Sequence, residues 1–145
     1  MTFMSCGHDH DSLYASLADA DKAGEITHGW IPDFLPKTSR NIHVLDDLSP
    51  QREWCAFEFD PTDSTTMRQV LNPVDQLSET VITRIPNPHV SWWPDLLTGN
   101  LNVDEIRRSG LRLYIITSQQ ASLRQVQTWL VAVDWQKGRG FIFTL

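Results

Sequence analysis

Leu111-Arg112-Leu113-Tyr114-Ile115-Ile116-Thr117, then Trp129-Leu130-Val131-Ala132-Val133-Asp134-Trp135, then Phe141-Ile142-Phe143-Thr144-Leu145: three runs from the last third of the chain decide the fold. Each is rich in β-branched and aromatic side chains, which suit a pleated, half-buried surface. Strand alternation puts Trp129, Val131, Val133 and Trp135 on one face of a strand spanning 126–135. Gly138 and Gly140 mark a tight turn into the last run. The connections are too short for parallel crossovers, so the runs form an antiparallel meander.

Upstream, the β-branched run 80–85 predicts a strand, followed by a loop punctuated by Pro86, Pro88 and Pro94 that carries Trp92 and Trp93. Asn102 caps a short helix through Arg108, ended by Gly110. Residues 41–47 and 53–59 alternate around Leu48-Ser49-Pro50-Gln51 and predict a β-hairpin, with Cys55, Phe57 and Phe59 on one face and Trp54 and Ala56 on the other. A helix over 64–71, capped by Asp63 or Ser64, turns Met67, Val70 and Leu71 inward and stops at Pro73.

Leu13, Leu17 and Ala20 recur at helical spacing behind Ser12, so the pattern predicts a helix over 12–23 with Ser12 as N-cap and Gly24 just past its end. Two prolines keep residues 29–36 irregular, yet Trp30, Ile31, Phe34 and Leu35 are bulky and apolar, as expected of a loop pressed onto a core. Residues 1–11 read as a flexible tail. The expected architecture is α+β: a single domain over 12–145, an antiparallel sheet with a C-terminal meander, and a few short helices packed on one side.

Composition narrows the function. The net charge is −6, and residues 1–50 carry eight acids against three bases. An acidic chain lacks the basic face that phosphate neutralisation requires, so nucleic acid is not an expected partner. Two cysteines are too few for a disulfide framework. Cys6, His8 and His10 have metal-ligand chemistry, but a tail supplies neither a fourth ligand nor a rigid frame, and no metal site is expected. His28, His43 and His89 sit in no recognisable catalytic motif. Asp46 and Asp47 read as turn residues and Cys55 as a small buried hydrophobe. No cofactor is implied.

What stands out is six tryptophans in 145 residues. Trp30, Phe34, Trp92 and Trp93 are the expected partner-binding residues, because aromatic side chains dominate interface hot spots.

Two segments also carry a resemblance. One is Gly29-Trp30-Ile31-Pro32-Asp33-Phe34-Leu35-Pro36 with Asn41-Ile42 and Trp54-Cys55-Ala56-Phe57; the other is Trp92-Trp93-Pro94-Asp95-Leu96-Leu97-Thr98-Gly99 with Ala132-Val133-Asp134 and Gly138-Arg139. Together they resemble a family of small uncharacterised bacterial proteins, many of them predicted lipoproteins. Phe141-Ile142-Phe143 departs from the aromatic pair that closes the family's last strand. The resemblance implies no activity. It implies that Phe3-Met4-Ser5-Cys6-Gly7 is the end of a lipobox, with Cys6 as the lipid attachment point.

The functional expectation is a non-catalytic accessory or binding protein with an unidentified protein partner. It is held in a bacterial envelope through Cys6 if translation starts upstream of Met1, and is cytoplasmic otherwise. The alternative is a soluble toxin-neutralising immunity protein. An enzyme using His28, Asp33 or His43 is the least favoured reading. The oligomeric state is open.

Overall fold

The computed structural model describes residues 9–48, 51–74, 84–118 and 127–144. In chain order the elements are β1 (Asp9–Ser16), α1 (Leu17–Lys22), β2 (Arg40–Leu48), β3 (Gln51–Glu58), α2 (Thr65–Val70), β4 (Asn72–Pro73), β5 (Arg84–Ile85), a 3-10 turn (Asp95–Leu97), β6 (Gly99–Asn100), α3 (Val103–Arg108), β7 (Arg112–Ser118), β8 (Gln127–Asp134) and β9 (Arg139–Thr144). Seven strands form one antiparallel sheet in the order β1-β2-β3-β9-β8-β7-β4, while β5 and β6 pair separately.

The hairpin β2–β3 and the meander β7–β8–β9 stand where the alternation put them. They are sewn together by β3 against β9, with Trp54 opposite Phe143 and Cys55 opposite Ile142. This long-range seam makes the chain a single α+β domain. Two glycines permit its tight end. Gly138 has φ +70, and a side chain there would collide with the Phe59 carbonyl; Gly140 lies under the Phe57 ring.

The sheet is covered on both faces. On the first, Ile42, Val44, Cys55, Phe57, Trp129, Val131, Val133 and Ile142 meet Ala20 of α1, the 31–35 segment and Met67 of α2. Phe34 packs edge-on to Trp129 at 6.0 Å between centroids, a geometry that contributes roughly 0.5–1.5 kcal/mol beyond burial. The second face presents Leu45, Trp54, Ala56, Leu130, Ala132, Phe141 and Phe143 to a cover built from Ile85, Trp93, Leu97, Ile106 and Leu111. The Trp54 indole N–H donates to the Pro86 carbonyl at 3.1 Å and ties that cover to the sheet.

Three expectations are corrected. The helix over 12–23 is a strand to Ser16 and a helix only from Leu17, with Ser16 as the cap whose Oγ accepts from the Asp19 amide at 3.2 Å. The ladder to β2 outweighs local helix propensity, and Leu13, placed inward on a helix, is 61% exposed. The tail accordingly does not extend to residue 11, since Asp9–Asp11 belong to β1; the rest of it lies outside the described residues. Asp46 and Asp47 are not turn residues either: both pair within β2, opposite Glu53 and Arg52.

Smaller differences follow. Val70 stays 37% exposed while Met67 and Leu71 go inward. Asp63 is not a cap; its carboxylate accepts from the Thr38 amide and hydroxyl at 3.0 Å each, clamping the loop ahead of β2. Of the strand expected over 80–85, Arg84–Ile85 is seen and 80–83 lie outside the described residues.

Candidate functional site

A groove opens on the second face, where β2, β3, β9 and the end of β8 run under the edge of their cover. It begins at an irregularity in β2. The register shifts between Arg40 and His43, and Asn41 sits there with φ +48. A non-glycine residue in the left-handed region is uncommon, and bulges of this kind re-aim side chains. Here the Asn41 amide donates to Glu58 Oε2 at 3.1 Å.

Past the shift, His43 stacks on Trp92, with centroids 5.1 Å apart and planes 21° from parallel. The Trp92 loop is held by its neighbour. Trp93 is buried, its indole N–H donates to the Leu97 carbonyl at 2.9 Å, and its ring meets Phe141 edge-on at 5.7 Å. Trp92 itself stays half-buried at the groove wall. Ala56 and Phe141 lie in the lining, and Ser109 and Leu111 after α3 contribute to it as well; the cavity is about 420 Å³, within the range of small-ligand sites.

The polar lining comes from strand ends. Asp134 closes β8 and is buried, 5% exposed. Its Oδ1 accepts from the Gln136 and Lys137 amides at 3.1 and 3.0 Å, which fixes the β8–β9 turn. Its Oδ2 accepts no hydrogen bond among the described residues and faces Gly110, where a Cβ would lie 3.2 Å away. Arg139 is the register partner of both Glu58 on β3 and Asp134 on β8. Its guanidinium is exposed and makes no ion pair or hydrogen bond among the described residues, since Asn41 engages Glu58 and the turn engages Asp134.

The first face holds a different polar feature. Asp46 and Glu53 are cross-strand partners, both buried, and Glu25 from the segment after α1 is buried as well. Burial, a hydrogen bond shared with Asp46 and the charges of Asp46 and Glu25 push the Glu53 carboxyl well above its ordinary range. Burial likewise raises the Tyr14 hydroxyl, and it raises the Cys55 thiol strongly, which keeps that thiol protonated and inert. The carboxylate pairing is therefore across strands, between Asp46 and Glu53, not between the sequence neighbours Asp46 and Asp47. Asp47 instead accepts from Arg52 at 2.9 Å.

The four aromatic residues singled out in the sequence do not form one surface. Trp30 is half-buried beside His28, 6.0 Å between ring centroids, and Phe34 is buried against Trp129; both belong to the first cover. Trp92 and Trp93 belong to the second. Burial removes Phe34 and Trp93 from any contact surface and leaves Trp30 and Trp92 on opposite sides of the sheet. Nor do His28, Asp33 and His43 converge. His28 Nδ1 lies 2.7 Å from the Gly24 carbonyl oxygen, Asp33 is exposed in the first cover, and His43 lies across the sheet. Cys6 and His8 lie outside the described residues. Among the described residues no group of three His, Cys, Asp or Glu side chains is placed to hold a metal ion, and no helix is long and apolar enough to cross a membrane. Sequence reasoning missed roles for Asn41, Glu58, Asp134 and Arg139, because only strand register brings them together.

Comparison with known proteins adds one finding. Residues 9–58 match the family model of the YbbD head domain, a family of small uncharacterised bacterial proteins. The match runs from β1 through β3, about a third of the chain. It supplies Asn41, His43, Ala56 and Glu58 to the groove; Trp92, Asp134 and Arg139 come from beyond it. No curated protein and no solved structure matches the chain.

Proposed function

We propose that this chain is a non-catalytic binding or accessory protein and that the groove beside Trp92 is its recognition site. The observation that carries this reading is the contrast within one dipeptide: Trp93 is locked into the core while Trp92 stays half-buried at the wall of an open cavity. A large amphipathic side chain held at the mouth of a preformed hollow is how binding surfaces gain contact area at low entropic cost. Trp30 lies on the opposite face of the sheet, away from this groove, so it serves as the control position.

The test is retention of a partner from the native host's extract on immobilised chain. Wild type and Trp30→Ala are expected to retain the same species, while Trp92→Ala and Arg139→Glu lose it with their thermal unfolding little changed. Equal retention by all four would contradict the reading.

Envelope attachment through Cys6 belongs to the same proposal. It is supported by the Met4-Ser5-Cys6-Gly7 context, which ends just before β1 begins at Asp9. Acylation there would hang the edge strand of the sheet directly beneath the lipid headgroups. An intact mass showing a chain that starts at Cys6 with acyl groups, in the membrane fraction, is the expected result; an unmodified Cys6 in the soluble fraction would remove the anchor and leave the groove untouched.

A further inference from the structure

We propose that the groove takes a neutral polyhydroxylated ligand, a short carbohydrate, with its apolar C–H groups along the wall of Trp92, Pro94 and Leu96 and its hydroxyls bridging Asp134 and Arg139. This inference rests on the groove being the recognition site and names what it recognises.

The argument starts from charge. An anion would meet Glu58 and the buried Asp134; a cation would meet Arg139, which lies between them in register. Neither sign of ligand is favoured at close range, because like charges in contact are repelled with little screening at a partly buried site. What the lining does offer is a dense mixture of donors and acceptors. Asp134 Oδ2 is an acceptor held inside a 5%-exposed residue whose other oxygen already serves the turn. The Arg139 guanidinium and the Trp92 indole N–H are donors engaged with nothing else among the described residues. Ser91 adds a hydroxyl at the rim.

Asp134 Oδ2 and the Arg139 guanidinium stand at the groove with no hydrogen-bond partner among the described residues, so the ligand that fits best brings hydroxyl groups, each able to donate and accept. Trp92, Pro94 and Leu96 make the apolar part of the same lining. A sugar ring has the matching anatomy: polar at its edge and apolar on its face. The turn geometry supports the assignment, since Oδ1 holds Asp134 in place by two backbone amides and leaves Oδ2 pre-aimed at no entropic cost on binding.

The test is an amide-resolved NMR titration of the full chain with maltose, cellobiose, lactose and chitobiose. At least one is expected to give saturable shifts confined to residues around 41–43, 91–96, 109–111 and 134–141. Asp134→Asn keeps the Oδ1 acceptor of the turn but replaces the Oδ2 acceptor with a donor; it should weaken binding at least about tenfold. Arg139→Met should also weaken it, and Trp30→Ala should not. Shifts absent for all four sugars, or unaffected by Asp134→Asn, would overturn the carbohydrate assignment. Saturation of the groove by a lysine-rich or aspartate-rich peptide instead would overturn it while leaving the recognition site standing. Retention of the host partner undisturbed by every groove variant would remove both.

Discussion

The two faces of the sheet are covered in opposite ways. The first cover, α1 with the 24–39 segment and α2, closes over large apolar side chains, and even its acids, Glu25, Asp46 and Glu53, are taken out of water. The second cover is a long loop with a 3-10 turn and α3, pinned at Trp54, Trp93 and Ile106, and it stops short of the β2–β3–β9 end of the sheet. One sheet therefore supplies a closed face that stabilises and an open face that can receive. The difference comes from where each cover is anchored: the first is tied together by Asp63 to Thr38 and by the Leu17 amide to the Ser39 carbonyl, while the second leaves Ser91–Trp92 at the groove wall.

Predictions that strain this contrast run from large to small. Trp129→Ala should be the most damaging, with a loss of roughly 3–5 kcal/mol in urea unfolding, because it empties the centre of the closed face where Phe34 packs edge-on. A loss below about 1 kcal/mol would mean that the first face is not the main core. Gly138→Ala should cost more than about 1 kcal/mol, since it combines a left-handed φ with a collision at the Phe59 carbonyl. Trp92→Ala should cost only about 1 kcal/mol of stability, the stacking on His43 and little burial, and yet abolish groove binding. If it unfolds the chain instead, the two faces are alike.

The acids give a pH test. The Glu53 carboxyl is raised, so its contribution to stability is fully present below its unfolded value and is lost as pH rises through its folded value. Chemical unfolding midpoints should therefore fall from mildly acidic toward alkaline pH. Glu53→Gln, whose amide can still donate to Asp46, should flatten that slope and be the more stable protein at the alkaline end. A slope unchanged by the substitution would show that Glu53 ionises freely. The smallest effect is expected at Leu13. As an exposed strand residue it should tolerate Leu13→Thr within about 0.5 kcal/mol, whereas an inward helical leucine would not.

Much of this fold was legible. Period-2 alternation assigned both faces of β3 and β8 correctly, because Trp54–Phe57 and Trp129–Val133 are packed on two sides, alternate residues in alternate cores. The N-terminal strand was not legible. Ser12, Tyr14 and Ser16 carry no strong apolar alternation, and the helical spacing of Leu13, Leu17 and Ala20 competes with it; the edge of β2 decides the matter and is invisible from within the segment. The tryptophan-rich loop was visible as a candidate surface, but which of two adjacent tryptophans turns inward depends on Phe141, far along the chain, and on the local turn that brings the Leu97 carbonyl to the Trp93 indole. The polar half of the groove was hidden for the same reason. Glu58, Asp134 and Arg139 look like ordinary strand-end and turn residues until β3 and β8 are placed on either side of β9.

The most direct test of an open second face and a closed first face is fluorine NMR of the chain labelled with 5-fluorotryptophan, which reports all six tryptophans at once. On addition of the partner or sugar that binds, the Trp92 resonance, assigned through Trp92→Phe, is predicted to shift while those of Trp30 and Trp129 stay in place. Movement of Trp30 with Trp92 unmoved would contradict the account and put recognition on the other side of the sheet.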